Sequence, residues 1–492
     1  MHDVILAIDE GTTNAKVVCV DRSGAIVSRG SRPLVLSHPQ PGWTEQDPLA
    51  ILAAVGEAAA EAIAALASGV RVAGIAISNQ RESVVAWDRL SGEPASPVIV
   101  WQCRRSGPFC TALAAGPEAD TVRDRTGLPI DPLFPAAKMR WLIDHIENGR
   151  ARAEAGELCI GTIDSWLAWH LSGGEAFVTD ASNASRTQLL SLASLSWDED
   201  LLGLFGVPAA CLATVMSSTG ERGRTCAFPA IPDGLPLLSQ IGDSHAALYG
   251  QGGFLGGVTK ATYGTGSSLM TPIDGIGRDD RRLARTVAWH DRVVRYALEG
   301  NITHTGAAVE YMARLLGLGD AAAVAALART VPDTEGVHFV PALSGLGAPH
   351  WASDARGLVT GLTERAGPAH LARASLEAIA YQIGDVCGAM EQLAGRSLER
   401  LLVDGGPTRN RWLMQFQANV LGREVARASE AEVSALGAAY LAGMAVGWWS
   451  THEELAALHR EPEIIEPDSD RQRVQDGQAG WQQAVRLTLA SA

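Results

Sequence analysis

The chain has 492 residues, beyond the ~250 to 300 at which a single hydrophobic core stops growing, so two domains with a cleft between them are expected. Hydrophobic residues make up 47% and charged residues 19%, the balance of a globular protein and not of a disordered one. A net charge of −15 disfavours nucleic acid and anionic membrane surfaces as partners, so any phosphate must be bound locally.

Asp3 and Asp9 flank a short apolar run with no basic start and no cleavage-like site, which predicts no signal peptide and a cytoplasmic protein. Residues 4–8, 17–20 and 25–28 read as successive strands, with "DRSG" at 21–24 as a tight turn, giving a β-meander. Apolar residues at helical spacing predict a helix over 49–67, and "VAGIAISN" at 72–79 returns to strand. This alternation predicts an α/β layer fold.

The second half opens with "VTKATYGTGSSLMTPI" at 258–273, a weak repeat of the first hairpin with another Gly-Thr turn between apolar runs. "LLVDGGPTRN" at 401–410 follows a strand and precedes the helical "RWLMQFQANVLG", an order that presents free backbone N–H groups to an anion. The longest apolar run, "ALGAAYLAGMAVGWW" at 435–449, is shorter than the ~20 residues a bilayer requires and reads as a buried helix. Seven cysteines form no CxxC pair, and no His or Cys spacing suits zinc, so reduced thiols are expected.

Chemistry concentrates in "AIDEGTTNAKVVCVD" at 7–21. Asp9 at a strand end, beside Gly11, Thr12 and Thr13 with Lys16 close behind, suits a metal held through water and a phosphate met by the turn and the Lys. The same stretch also reads as a hairpin turn that holds nothing. Three glycine turns together would make a nucleotide cleft: two hairpins for the phosphates and a helix N-terminus near the nucleoside. No GxxxxGK[ST] is present, so such a cleft is not a P-loop.

These segments, with "PGWTEQDP" at 41–48, "NQRES" at 79–83, "VWQCRR" at 100–105, "DASNASRT" at 180–187, "VPALSGLGAPHW" at 340–351 and "GLVTGLTERAGPAHLARASLE" at 357–377, resemble the FGGY carbohydrate kinases nearly throughout. Glycerol kinases are closest in appearance. "DEGTTNAK" resembles the family's Asp-Gln-Gly-Thr-Thr-Ser-Ser-Arg, with Glu10 for Gln, Asn14 for Ser and Lys16 for Arg. The resemblance implies an α/β fold of two ribonuclease-H-like (actin-like ATPase) domains, 1–250 mainly for substrate and base and 251–492 mainly for nucleotide, with ATP and Mg2+ as cofactors.

It also implies residue roles. Asp243, in "IGDSHAA", matches the general base, although an Asp before an Ala-rich helix also reads as an N-cap. Arg81, Glu82 and Trp101 match the residues that hold the polyol, where a plain salt bridge and a core Trp are the alternatives. Thr12, Thr13, Asn14, Lys16, Thr265, Gly306, Gly406 and Asn410 fall on nucleotide-contacting positions, and Asp9 on the one associated with Mg2+. His245, Cys103 and Arg104 read as structural.

Departures from the glycerol kinases indicate the acceptor. Leu133 stands for a Tyr, Ser244 for a Gln and Ser268 for a Phe, which enlarges the pocket and removes polar contacts to a three-carbon ligand. A four- or five-carbon polyol or ketose is therefore expected, phosphorylated on a primary hydroxyl, with glycerol as the alternative acceptor. Asn301 and Thr303 in "EGNITHTGAA" are candidate replacement donors or plain strand and cap residues. The loop before "IGDS" lacks the Gly-rich, Arg-containing segment through which some glycerol kinases bind fructose 1,6-bisphosphate, so no such feedback is expected. An actin-like ATPase of chaperone or filament type and a catalytically silent sugar-binding regulator are the rivals from other classes, and the family habit of dimers or tetramers suggests a homo-oligomer.

Overall fold

The computed structural model describes residues 2–458 and 461–491. Its first sheet contains β1 (His2–Glu10), β2 (Asn14–Asp21), β3 (Ile26–Pro33), β4 (Val70–Asn79) and β5 (Leu237–Gly242), in the order β5-β4-β1-β2-β3. β1, β2 and β3 are antiparallel neighbours, whereas β4 and β5 run parallel to β1. The expected meander is present, and the turn at 21–24 is closed by Gly24 N–H donating to Asp21 O at 3.0 Å.

The second sheet contains β6 (Val258–Tyr263), β7 (Ser267–Ile273), β8 (Ala284–His290), β9 (Val294–Ile302), β10 (Arg400–Asp404), β11 (Glu424–Arg427) and β12 (Glu463–Ile465), in the order β8-β9-β7-β6-β10-β11-β12. β6, β7 and β9 are antiparallel, and β10 and β11 run parallel to β6. This repeats the path of the first sheet, so the weak repeat in the sequence is a duplication of topology.

Strand alternation dictates what covers each face. In β1, Val4, Leu6 and Ile8 join the cluster that contains Ile51, Val55 and Ala58 of α1 (Pro48–Ala64), while Ile5 and Ala7 point to the opposite face. Asp47 caps α1 by accepting from Leu49 N–H at 2.9 Å. Between β4 and β5 the chain inserts a small antiparallel sheet, Val84–Asp88 beside Leu158–Thr162, and α2 (Pro135–His145).

Two helices occupy the space between the large sheets: α3 (Asp243–Gly250), which follows β5 directly, and α6 (Val433–Ala445) from the far end of the chain. α4 (Gly306–Leu315) follows β9, and α5 (Arg411–Leu421) follows the glycine turn after β10. Ala435, Ala438 and Ala439 of α6 are buried with Ile5, Ala7 and Ala76 of the first sheet and with Ala246 and Leu248 of α3. Within the apolar run at 435–449, residues 435–443 are buried helix, as their Gly and Ala content predicts, whereas the helix ends at Ala445, and Ala445, Val446 and Gly447 are exposed. Among the described residues no helix is long and apolar enough to cross a membrane, and all seven cysteines are free.

α3 and α6 touch backbone to backbone. A Cβ on Gly437 would overlap the carbonyl oxygen of Ala246, and one on Gly250 would overlap that of Val433. Gly437→Ala is therefore expected to cost about 2–3 kcal/mol of stability by overpacking and to lower turnover, because α3 begins with Asp243. Denaturant unfolding and turnover together check this; wild-type values for both would contradict it.

Candidate active site

Asp9, the penultimate residue of β1, stands opposite Lys16 in the antiparallel register of β1 and β2. Ser78 Oγ, at the end of the neighbouring β4, donates to Asp9 Oδ1 at 2.9 Å. Burial pushes Asp9 up to about 6, against the opposing pull of Lys16. Burial pushes Glu10 further, to about 8, so it keeps its proton at neutral pH. Its Oε1 accepts from Gln80 Nε2 at 2.8 Å.

Among the described residues, no group of three or more His, Cys, Asp or Glu side chains could hold a metal ion alone. A single buried carboxylate nonetheless suits Mg2+, which retains waters and takes further ligands from substrate phosphates. Asp9 fits that group.

Each of the three glycine turns lies at the C-terminal end of a strand. In the first, Gly11 N–H donates to Asn14 O at 3.0 Å and leaves Thr13 exposed, its hydroxyl accepting from Asn14 Nδ2 at 3.2 Å. Thr12 faces the neighbouring wall, where its hydroxyl accepts from Trp101 Nε1 at 3.0 Å. In the second turn Thr265 is exposed, and the carbonyl of Gly264 accepts from Gly306 N–H at 3.0 Å. Gly306 thus spends its own N–H on supporting the turn, at a contact where a Cβ would crowd Gly264 O at 2.6 Å. In the third, Gly406 faces open space, and Asn410 caps α5 by accepting from Leu413 N–H at 3.3 Å.

Lys16 crosses to the other half of the chain. Its Nζ donates at 2.8 Å to Glu432, the residue preceding α6. Ser434, in the first turn of α6, donates to Asp243 O at 3.1 Å, so the starts of α3 and α6 are tied together.

Asp243 is the first residue of α3, and Gly242 occupies the cap position. Its Oδ1 accepts from Ser244 N–H at 2.6 Å and from Arg81 Nε at 3.1 Å, while 38% of the side chain remains exposed. It does not cap the later turns of the helix. Part of the carboxylate is thus left open to solvent.

Arg81 and Glu82 are buried just beyond β4. Arg81 Nη1 donates to Glu299 Oε1 at 2.6 Å, and Glu82 Oε1 accepts from Arg186 Nε at 2.7 Å. Glu82 has φ of 59°, in the left-handed region that disfavours a residue with a side chain. Its carbonyl is fixed by Lys138 Nζ of α2 at 2.8 Å, and the same amine donates to Leu133 O at 2.7 Å. One buried Lys therefore spans the two loops that carry Glu82 and Leu133.

Of the three substitutions expected to enlarge the pocket, Ser244 is buried beside Asp243. Ser268 donates from its Oγ to Glu299 Oε1 at 3.1 Å, and Leu133 packs against Leu128, Phe134 and Ala284. Thr303 donates its hydroxyl to Gly345 O at 3.2 Å and is committed to its own loop. Arg104 pairs with Asp131 at 2.8 Å, buried His245 contacts Thr286 Oγ1 at 3.3 Å, and Cys103 Sγ accepts from Arg105 Nε at 3.0 Å.

Sequence reading passed over Lys138, Arg186, Glu299 and Glu432. A signal was present in three of them: Lys138, Arg186 and Glu299 are charges set in otherwise apolar or small-residue runs, and all are buried. Glu432 carried no such mark, since its partner is distant in sequence.

Residues 4–250 match the FGGY family of carbohydrate kinases, N-terminal domain, and residues 259–446 match the C-terminal domain of the same family. The apulose kinase of Pectobacterium atrosepticum is 52% identical over 484 residues, covering 98% of this chain and 97% of that protein. A glycerol kinase of Stenotrophomonas maltophilia is 45% identical over 491 residues, covering 99% and 98%. The crystal structure of Plasmodium falciparum glycerol kinase with ADP superposes with a TM-score of 0.92 at 31% identity, covering 99% of this chain and 98% of that one.

Lys138 yields a test that needs no ligand. Burial pushes its amine down to about 7, below its ordinary value near 10.5. Between those pH values the unfolded chain binds a proton that the folded chain has released, so this residue makes stability rise from about pH 7 to pH 10.5. Lys138→Met is expected to be less stable than the wild type, with that part of the rise missing, as measured by urea unfolding at pH 7 and pH 10. An identical pH dependence in both proteins would contradict the assignment.

Proposed function

This chain belongs to the FGGY family of carbohydrate kinases and is a sugar or polyol kinase; from that premise we propose that it phosphorylates a primary hydroxyl of a four- or five-carbon ketose or polyol. The observation that carries the acceptor assignment is the wall at Ser268, where a small hydroxyl bonded to Glu299 stands in place of an aromatic ring. Leu133 and Ser244 likewise stand where the resemblance to glycerol kinases implies larger side chains. A relative named for apulose, a ketose of five carbons, supports the larger acceptor, whereas relatives named as glycerol kinases favour glycerol as the second reading.

In this mechanism residues 1–250 hold the acceptor and residues 251–492 hold most of the nucleotide. Arg81 and Glu82 hydrogen-bond the acceptor hydroxyls, and Trp101 presents its ring to carbon. Asp243 takes the proton from the primary hydroxyl as that oxygen forms its bond to the γ-phosphorus; the bond to the bridging oxygen breaks and ADP leaves. Thr12, Thr13 and Asn14 line the terminal phosphates, Thr265 and Gly306 form the second phosphate turn, and Gly406 and Asn410 lie near the nucleoside. Lys16 exchanges Glu432 for phosphate. Mg2+, held through Asp9 and the phosphates, would offset their charge.

Most of the rate comes from positioning and charge, so single residues separate the roles. ADP release with Mg·ATP, measured against glycerol, erythritol, threitol, ribitol, xylitol, erythrulose, ribulose, xylulose and apulose at equal concentrations, is expected to be highest for a four- or five-carbon compound. Glycerol ahead of the others would contradict the enlarged pocket, and release indifferent to every acceptor would favour an ATPase. Asp243→Asn is expected to lower kcat by about 10²- to 10⁴-fold with the fold intact. Lys16→Ala is expected to raise the KM for ATP about tenfold or more while leaving the acceptor KM near wild type. Near-normal turnover in the first variant, or a shifted acceptor KM alone in the second, would overturn the roles assigned.

A further inference from the structure

Five charged groups meet beneath the acceptor wall. Four belong to the first half of the chain: Arg81, Glu82, Arg186 and Asp243. The fifth is Glu299, from β9 of the second sheet. It is 0% exposed. Arg81 Nη1 lies 2.6 Å from its Oε1, and Arg186 Nη1 lies 2.5 Å from its Oε2. Ser268 Oγ, on the adjacent β7, donates to Oε1 at 3.1 Å. Through Arg81, Glu299 is one residue away from Asp243, and through Arg186 it is one residue away from Glu82.

Charge balance explains why this position matters. Without Glu299, Arg81 would have Asp243 as its close carboxylate, at 3.1 Å, with Glu82 at 3.9 Å. An arginine held by one carboxylate pulls towards it, so it would be drawn onto the group that must accept the proton. With Glu299 present the guanidinium is divided: Nη1 is fixed from below, while Nε touches Asp243 from the side. Burial raises Glu299, but Arg186 and Arg81 outweigh burial and hold it well below the usual carboxylate range. At neutral pH it is therefore an anion.

We propose that Glu299 is the positioning residue of the acceptor site, a carboxylate supplied by the second half of the chain that fixes Arg81 and Arg186 and thereby aims Asp243 and Glu82. Because it reaches across the cleft, it also couples the acceptor site to the seating of one sheet against the other. Ser268 belongs to this device. Where an aromatic side chain would only fill space, its hydroxyl fixes the Glu299 carboxylate. The kinetic part of this inference rests on the function proposed above; the structural part does not.

Glu299→Gln retains the shape and removes the charge. It is expected to lower kcat/KM for the acceptor about a hundredfold, while the Kd for ADP, measured calorimetrically, changes less than threefold. Glu299→Asp retains the charge on a shorter arm and is expected to lose about tenfold. Hydrogen exchange on the unliganded protein is expected to speed up at residues 79–84 in Glu299→Gln and to stay unchanged at residues 9–16. Full acceptor kcat/KM in Glu299→Asp, or losses that fall equally on ADP binding and on exchange in both segments, would overturn the proposal. If the wild type shows no acceptor-dependent ADP release, the kinase reading fails, and the exchange comparison alone decides the role of Glu299. Should Glu299→Gln fail to fold, the Asp variant carries both readouts.

Discussion

Everything in the cleft depends on one close contact, the crossing of α3 and α6 at Gly250 and Gly437. Each helix runs between the two sheets, and each begins at the cleft. Because no side chain separates them, their first residues lie within hydrogen-bond reach, as Ser434 and Asp243 O at 3.1 Å demonstrate. Asp243 stands at the start of one helix, and Glu432 before the other holds Lys16. A larger residue at the crossing would separate the two helix starts before it disturbed either of them directly.

Against this packing, the site retains features that burial penalises. Asp9 and Glu10 are carboxyls pushed up by desolvation, Glu82 has a left-handed backbone, and Arg81, Arg186 and Glu299 are buried charges. A pair of buried charges gains little net stability, and breaking one costs about 3–5 kcal/mol. The fold therefore gains position from these groups more than stability. Lys138 belongs to the same economy: it is placed in the interior of the insert to fix two carbonyls, one of them that of the strained Glu82.

Much of this was legible in the sequence, for identifiable reasons. The continuous apolar runs at 4–8 and 17–20 predict strands because each side of the first sheet is covered, and the three glycine turns stand out because each connects a strand to a reversal or a helix start. Strand ends were less legible: β1 extends to Glu10 and β2 starts at Asn14, since the ladder continues through polar residues whose partners lie on neighbouring strands. Asp243, Arg81 and Glu82 could be placed by motif. Their supports could not. Glu299 is 218 residues from Arg81, and Glu432 is 416 from Lys16, and nothing local marks either as a partner. Leu133, Ser244 and Ser268 were visible as departures, but that Ser268 bonds to a buried carboxylate is a property of the folded pair of strands.

The central claim is spatial: an acceptor hydroxyl lies between Asp243 and the transferred phosphorus, within a wall made by Arg81, Glu82 and the residues beneath them. A crystal structure with Mg2+, a non-hydrolysable ATP analogue and the preferred acceptor tests it most directly. The account predicts one primary hydroxyl oxygen within hydrogen-bond distance of the Asp243 carboxylate and in line with the γ-phosphorus, with Lys16 moved from Glu432 to the phosphates. An acceptor seated elsewhere, or an Asp243 carboxylate turned away from every hydroxyl, would contradict it.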